Sequence, residues 1–376
     1  MADIDKALPN VKQTVTLPSP KDVEMQQQQV AQKALEPVDI QRNEDGSADI
    51  TFDPRMVNPG DDKGHFSNLA ELLPDDIIDP LGHKLYGDYM DYKNSRKDWE
   101  RAYISGLDLL GFKYEDRSEP FKGASGASHP VLAEAVTQFQ SLAYKELLPS
   151  NGPVRAQIIG MPTPQKEQQA SRVKDYMNWQ IMDQMKEYEP EFDQMLFNLP
   201  LAGSTFKKIY YDDLMQRAVS KFVPADDLVV PYTATSLDDC ESVIHVIRMT
   251  ENELRKKQVG GFYRDIEVNP SYMQETEIEK KERALEGAVK GRDERMFTIL
   301  ECHVNVDLEG FEDIDPKSGE PTEIKLPYIV AIEEGTRKVL SVRRNYDLKD
   351  AMKKKIDYFV HFKFLPGLGF YGFGLI

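Results

Sequence analysis

The sequence predicts an α+β fold, and three observations carry that expectation. Apolar residues recur at three-, four- and seven-residue steps in long stretches before Gly203, and the period falls to two after it. Hydrophobic residues make up 40% of the chain and charged residues 30%, an ordinary globular balance with a rather polar surface. A chain of 376 residues can then bury a sizeable core, in two or three domains, without disulfides or a metal.

Residues 1–80 mix a QQQQ run, scattered prolines and the acidic clusters DDK, PGDD and PDD with isolated hydrophobics. Such a segment cannot offset its own ordering entropy, so we expect an extended or disordered acidic arm, either a plain solvated tail or one ordered against a neighbour. It carries 16 acids against 7 bases, about half of the chain's net charge of -17. An acidic chain is a poor candidate for gripping DNA, where affinity comes from neutralising phosphates. It remains compatible with a protein through which DNA slides.

From Leu81 the positions Leu85, Tyr89, Tyr92, Trp99, Tyr103, Leu107 and Leu110 predict one long amphipathic helix stopped by Gly111. Its Tyr and Trp content suits either core packing or a face shared with an interface. A Gly- and Ser-rich loop, FKGASGASHP, precedes a second helix through Leu132, Val136, Phe139, Ala143 and Leu147, ended by Pro149. GPVRAQIIG reads as a short strand. A third helix starts at Pro164 with Thr163 as its cap, and its stripe runs Val173, Met177, Ile181, Met185, Tyr188, Phe192, Met195 and Leu199, with a kink or fresh start at Pro190.

After Gly203 the stretches STFKKIYYDD, RAVSKFVPADDLVVPY and CESVIHVIRMT alternate, predicting a small, mainly antiparallel sheet. Thr250 and Glu253 form a capping box for a short helix, and residues 274–290 form a charged helix with a thin stripe of Ile278, Leu285 and Val289. That helix is either solvated or packed around an axis with others. FTILECHVNVDLEG, LPYIVAIEEGTRKVLSVRRNYD and DYFVHFKFLPGLGFYGFGLI read as strands, with an acidic turn at FEDIDPKSGEP. The last of these stops in an apolar, Gly-rich run without a closing cap, as a truncated polypeptide does.

No run of eighteen apolar residues exists and the first residues lack an apolar signal core, so neither membrane insertion nor secretion is expected. Cys240 and Cys302 lie far apart without metal spacing and read as reduced, buried thiols of a cytosolic compartment.

Gly367, Gly369 and Gly372 match a dinucleotide-binding fingerprint in form, but no helix or acidic residue follows, and Phe370, Tyr371 and Phe373 crowd the loop. A tight backbone crossing is the favoured reading. Asp313, Asp315 and Glu320 have loose calcium-loop character with Gly319 displaced, which a hairpin turn explains better. The six histidines show no metal spacing. Asp226 with Asp227, and Asp238 with Asp239, read as solvated turn acids. Ser125 and Ser128 could cradle a phosphate but suit a capping turn better. With no P-loop, nucleophile elbow or paired Cys and His, the expectation is a structural protein rather than an enzyme, with no catalytic, cofactor or metal residues.

Three stretches, FKGASGASHPVLAEAVTQFQSLAYKELLPSNGPVRAQIIG, LAGSTFKKIYYDDLMQRAVSKFVPADDLVVPY, and KVLSVRRNY with YFVHFKFLPGLGFYGFGLI, together resemble the portal proteins of short-tailed bacteriophages over most of residues 120–376. The resemblance implies a portal-like α+β architecture, with a wing of long helices and a small sheet, a charged stem helix, a β-rich clip and the extended N-terminal arm. It divides the chain into the arm (1–80), wing (81–250), stem-like segment (251–295), clip (296–350) and a return to the wing (351–376), where the missing C-terminal part starts. It implies a ring of about twelve copies at one capsid vertex of the virion, assembled in the host cytoplasm. Its implied partners are the large terminase, head-completion or tail adaptor proteins, a scaffold or coat protein, and double-stranded DNA passing without sequence specificity. Arg337, Lys338, Arg343, Arg344, Lys353, Lys354 and Lys355 are candidate contacts to DNA or an acidic partner, or else solvated strand ends. Two other readings stay open: a different virion adaptor or scaffold-binding protein, and a nucleotide-binding enzyme using the Gly367–Gly374 loop.

Overall fold

The computed structural model describes residues 38–42, 48–52, 64–110, 121, 129–212, 215–269, 276–287, 296–314, 320–350, 352–367 and 369–376. The chain divides into two compact units, Met1–Ser67 and Asn68–Ile376. The first holds an antiparallel hairpin of β1 (Val38–Arg42) and β2 (Ala48–Phe52), in register with Ile40 opposite Ile50. It falls inside the segment read as an arm; the rest of residues 1–63 lies outside the described residues.

The second unit is α+β, as the periodicities predict. Strands β3 (Ser204–Asp212), β4 (Arg217–Pro224) and β10 (Phe359–Lys363) make one antiparallel sheet, ordered β10-β3-β4. Strands β5 (Leu228–Val229), β6 (Ser242–Thr250), β7 (Met296–Val306), β8 (Leu326–Glu333) and β9 (Val339–Arg344) make a second antiparallel sheet in sequence order. This corrects the expectation that residues 204–250 form one small sheet. The turn after Pro224 carries the chain from one sheet to the other, and β6 pairs with β7 over its whole length, from Ser242 opposite Val304 to Thr250 opposite Met296.

Alternation along the five strands sorts two faces. Ile244, Val246, Leu300, Cys302, Val330, Ile332 and Val342 point to one face and form the larger core with Ile78, Leu85 and Tyr89 of helix α1 (Asp75–Ser95). The core therefore begins ahead of Leu81, and Leu69, Ala70 and Leu73 belong to it. Asn68 fastens that entry to the sheet edge. Its side-chain amide donates to Leu340 O at 3.1 Å, while its oxygen accepts from Val342 N at 3.0 Å and from Ala70 N at 3.1 Å. An exposed edge is thus paired by a side chain rather than by another strand.

The expected single helix is two, because Arg96 breaks it: α1 ends at Ser95 and α2 runs Lys97–Leu109. Helix α3 (Val131–Leu147) and helix α5 (Tyr188–Ala202) pack together, and α5 lies on β3 and β4. Between them stands α4 (Pro164–Trp179), capped by Thr163 as predicted, with its side chain accepting from Lys166 N, and followed by a π turn over Gln180–Gln184. The fresh start falls at Tyr188, so Pro190 lies in the first turn of α5, where its missing N–H is harmless. The segment 152–160 predicted as a strand forms none.

Helix α6 (Glu251–Val259) has the predicted capping box of Thr250 and Glu253. Helix α7 (Glu277–Glu286) carries a second one, Thr276 with Glu279, within the stretch 274–290 expected as a charged helix. Ile278 is buried in the core that Tyr103, Leu107, Phe206, Leu228 and Phe370 share, so α7 docks on α2. No helix among the described residues is long and apolar enough to cross a membrane.

Candidate functional site

The seven basic candidates are mostly engaged within the fold. Arg337, at φ 59° in the β8–β9 turn, lays its guanidinium 4.5 Å from the Tyr86 ring, and Lys338 donates to Glu267 O at 3.1 Å. Arg343 stacks 4.4 Å from the Phe262 ring and donates to Phe262 O, while burial pulls its pKa down. Arg344 lies 5.2 Å from the Phe311 ring. Lys353 is ion-paired to Asp313, and Lys355 donates to Leu237 O at 2.6 Å. Arg337, Lys338 and Lys354 are exposed. These side chains lace the β7–β8 and β8–β9 connections to the body; the structure does not gather them into one patch.

The Gly-rich terminus is not a strand. Leu365 and Phe373 form an isolated bridge, and Gly372 and Gly374 lie back against residues 200–203. A Cβ on Gly203, at φ +75°, would lie 2.3 Å from Gly372 O, and one on Gly372 would lie 2.5 Å from Gly203 O. Ser204 ties the crossing, accepting from Gly372 N at 2.7 Å. Glycine is needed here because two backbones touch. Tyr371 stacks on Trp99 with centroids 5.0 Å apart and donates to Leu228 O at 2.8 Å, so the loop's aromatics anchor it.

Two buried charge networks hold the elements together. In the first, Arg96 donates to Ala225 O and Leu228 O at 3.0 Å and to Asp226 O at 2.5 Å, gripping the turn that joins the two sheets. Arg248 then bridges Asp227 and Glu279 at 2.6 Å each, and the Tyr103 hydroxyl donates to Glu282 at 3.2 Å. Burial, with Asp226 beside it, pushes the Glu282 carboxyl up to about 7. Asp226 and Asp227 are thus not solvated turn acids: they sit under α7, and burial raises both. Asp238 and Asp239 are exposed, as expected.

The second network joins the sheets through side chains on the other face of β6 and β7. Lys208 of β3 reaches Glu301 at 2.5 Å, His303 Nε2 lies 2.8 Å from the same oxygen and His245 Nδ1 4.0 Å. Burial opposes ionisation of Glu301, and Lys208 with the imidazoles more than offsets it, holding the carboxyl well below the usual carboxylate range. Burial and Lys208 push His245 down to about 3. The strand histidine therefore stays neutral at physiological pH. The adjoining cavity, lined by Cys240, His303, Asn345, Lys355 and Tyr358, measures about 30 Å³, room for a water molecule and no substrate.

Among the described residues no cluster of His, Cys, Asp and Glu is arranged to hold a metal. Asp313 instead accepts from Thr322 at 2.8 Å and pairs with Lys353, inside a hairpin closed by the Ile314–Pro321 bridge. Asp315 and Gly319, like Ser125 and Ser128, lie outside the described residues.

The feature that no internal packing accounts for is the arm of residues 153–179. No residue of α4 is buried. Ile159 is 94% and Met161 84% exposed, and Val173, Tyr176, Met177 and Trp179 are exposed beside them. Asn178 closes the base of the arm, accepting from Val154 N at 2.8 Å and donating to Val154 O at 3.2 Å. The sequence stripe through Val173 and Met177 is real as a pattern, but it faces outward. Comparison of the chain with protein-family models and with curated proteins finds no match.

Proposed function

We propose that the chain is a ring-forming structural subunit of the portal type, a conduit for viral DNA at one capsid vertex and a docking platform for packaging and head-completion proteins. The observation that carries the reading is α4. A helix of 16 residues with none buried is marginal in water by itself, and its aromatic and aliphatic side chains call for a neighbouring molecule. The resemblance of three stretches to phage portals supports a portal-type assembly, and the charge networks act as fasteners within the subunit. Exposed Arg337, Lys338 and Lys354 are the basic candidates that DNA or an acidic partner would reach first.

One observation favours a second reading, a virion adaptor subunit. Helix α7, assigned to the stem, is only 10 residues long and docks on α2 through Ile278. Negative-stain imaging of the protein tests both. Annular particles with an open centre and a projecting stalk are expected of a portal; flat annuli without a stalk favour the adaptor, and isolated monomers overturn both.

A further inference from the structure

We infer that the strip of surface where residues 261–267 run along β9 is a sequence-independent contact for the phosphate backbone of double-stranded DNA. The inference rests on the conduit reading and names the part of the subunit that would meet the DNA. Three hydrogen bonds lay the segment antiparallel to β9: Arg343 donates to Phe262 O at 3.0 Å, Arg264 N to Leu340 O at 2.8 Å, and Lys338 to Glu267 O at 3.1 Å. From Lys338 to Arg343 the strip spans about 16 Å at about 3.3 Å per residue, the rise of roughly five nucleotide steps.

Helix α6 brings a further cation to the same place. The Lys257 ammonium lies 5.4 Å from the Phe262 ring, and the Arg343 guanidinium lies 4.4 Å from it. Two of the seven basic candidates, Lys338 and Arg343, thus share one strip with Lys257 and Arg264, which the sequence did not single out. The nearby acids are partly spoken for. Asp75 pairs with Arg264 at 3.0 Å, Asp265 pairs with Arg255, and Glu253 is held in the α6 cap by Thr250 N at 3.0 Å. Glu71, which acts on Arg343, and exposed Glu267 temper what is left. Exposed Lys256 and Arg337, next in sequence to Lys257 and Lys338, leave the strip weakly basic in a chain of net charge -17. Cations in a row meet a phosphate backbone, whereas a protein partner requires an apolar centre. The ring of Phe262, 44% exposed, is instead engaged by its two cations. Few cations, several of them already paired, give a contact that is weak and salt-sensitive, as passage of DNA requires.

The test is fluorescence anisotropy of the whole protein with short labelled duplexes of two unrelated sequences, over a salt series starting at about 50 mM. Both duplexes should bind equally. Lys257→Glu with Lys338→Glu should weaken binding by at least roughly tenfold and lower the slope of log K against log salt by about two. Lys338→Glu alone, at an exposed position, should lower the slope by about one, and circular dichroism checks that each variant stays folded. Arg101→Glu with Lys145→Glu, exposed on α2 and α3, makes the same change of net charge and should leave binding within about twofold. Equal losses in the strip and control variants overturn the inference, because net charge then explains the binding. Tighter binding of polyglutamate than of duplex, lost in the strip variant, also overturns it and assigns the strip to an acidic protein. Wild-type rings that leave duplex unbound overturn this contact and leave the ring reading standing. Duplex held through the strip by a chain that forms no ring keeps the contact and overturns the conduit.

Discussion

Arg96 is the residue on which the two sheets turn. Its guanidinium satisfies three carbonyls of residues 225–228 and pairs with Glu100 at 3.0 Å, while only 7% of the residue is exposed. Arg96→Met would leave buried carbonyls and a carboxylate without their donor, so we expect it to lower unfolding free energy by about 3–5 kcal/mol, read by urea denaturation. Lys207 shows the opposite case. It is 4% exposed, its ammonium has no hydrogen-bond acceptor among the described residues and lies 3.8 Å from the Tyr188 ring, and burial pulls its pKa down to about 8. Below pH 8 the native state carries a charge that burial penalises. Between about 8 and 10.5 the unfolded chain binds more protons than the native one, so this residue's contribution to stability rises with pH. Lys207→Met should raise stability at pH 7 by on the order of 1–3 kcal/mol, after the lost ring contact is counted, and should remove that rise. A Lys207→Met protein less stable than wild type at pH 7 would contradict the account. Neither residue declares itself in the sequence. Arg96 stands between Lys93 and Lys97 in what reads as a polar helix face, and Lys207 sits in a strand beside Lys208, where only the approach of α5 distinguishes buried from exposed.

At the scale of elements, local chemistry was legible and long-range pairing was not. Thr163, Thr250 and Glu253 cap the helices the sequence assigned to them, since a cap needs only residues within a turn. The union of β6 with β7 joins residues more than forty positions apart, and nothing local specifies it. The Gly-rich run was legible as a backbone crossing because only glycine permits that approach, whereas its partner at residues 200–203 was not. Gly203→Ala adds a Cβ at positive φ against Gly372 O, so we expect a loss of more than about 1 kcal/mol and faster proteolysis after Leu365. Helix α7 depends on a titrating contact. Glu282 is raised to about 7 from 4.5, so its protonated form favours the native state: the contribution is complete below pH 4.5 and is lost as pH rises through 7. Amides of 277–286 should accordingly exchange more slowly at pH 5 than at pH 8 after correction for intrinsic rates, and Glu282→Gln should flatten the difference. Equal pH dependence in wild type and variant would remove Glu282 from this role.

For the whole molecule, the acidity reads differently once it is mapped. The surplus of acids that argues against gripping DNA is concentrated in residues 1–80 and 307–324, while the arm between α3 and α5 is slightly basic and uncovered. On the ring reading proposed above, one contact repeated around an axis would cover that arm. The candidate site was only half legible for that reason. Composition showed which segments are acidic, and periodicity showed a stripe along α4, but whether a stripe faces inward is decided by the rest of the fold. Native mass spectrometry of the protein tests the central claim most directly. A single closed species of about twelve protomers, without intermediate masses at equilibrium, is the result expected of a portal-type ring. A species at the mass of one chain across the micromolar range, or a two-fold dimer that does not grow, would contradict it.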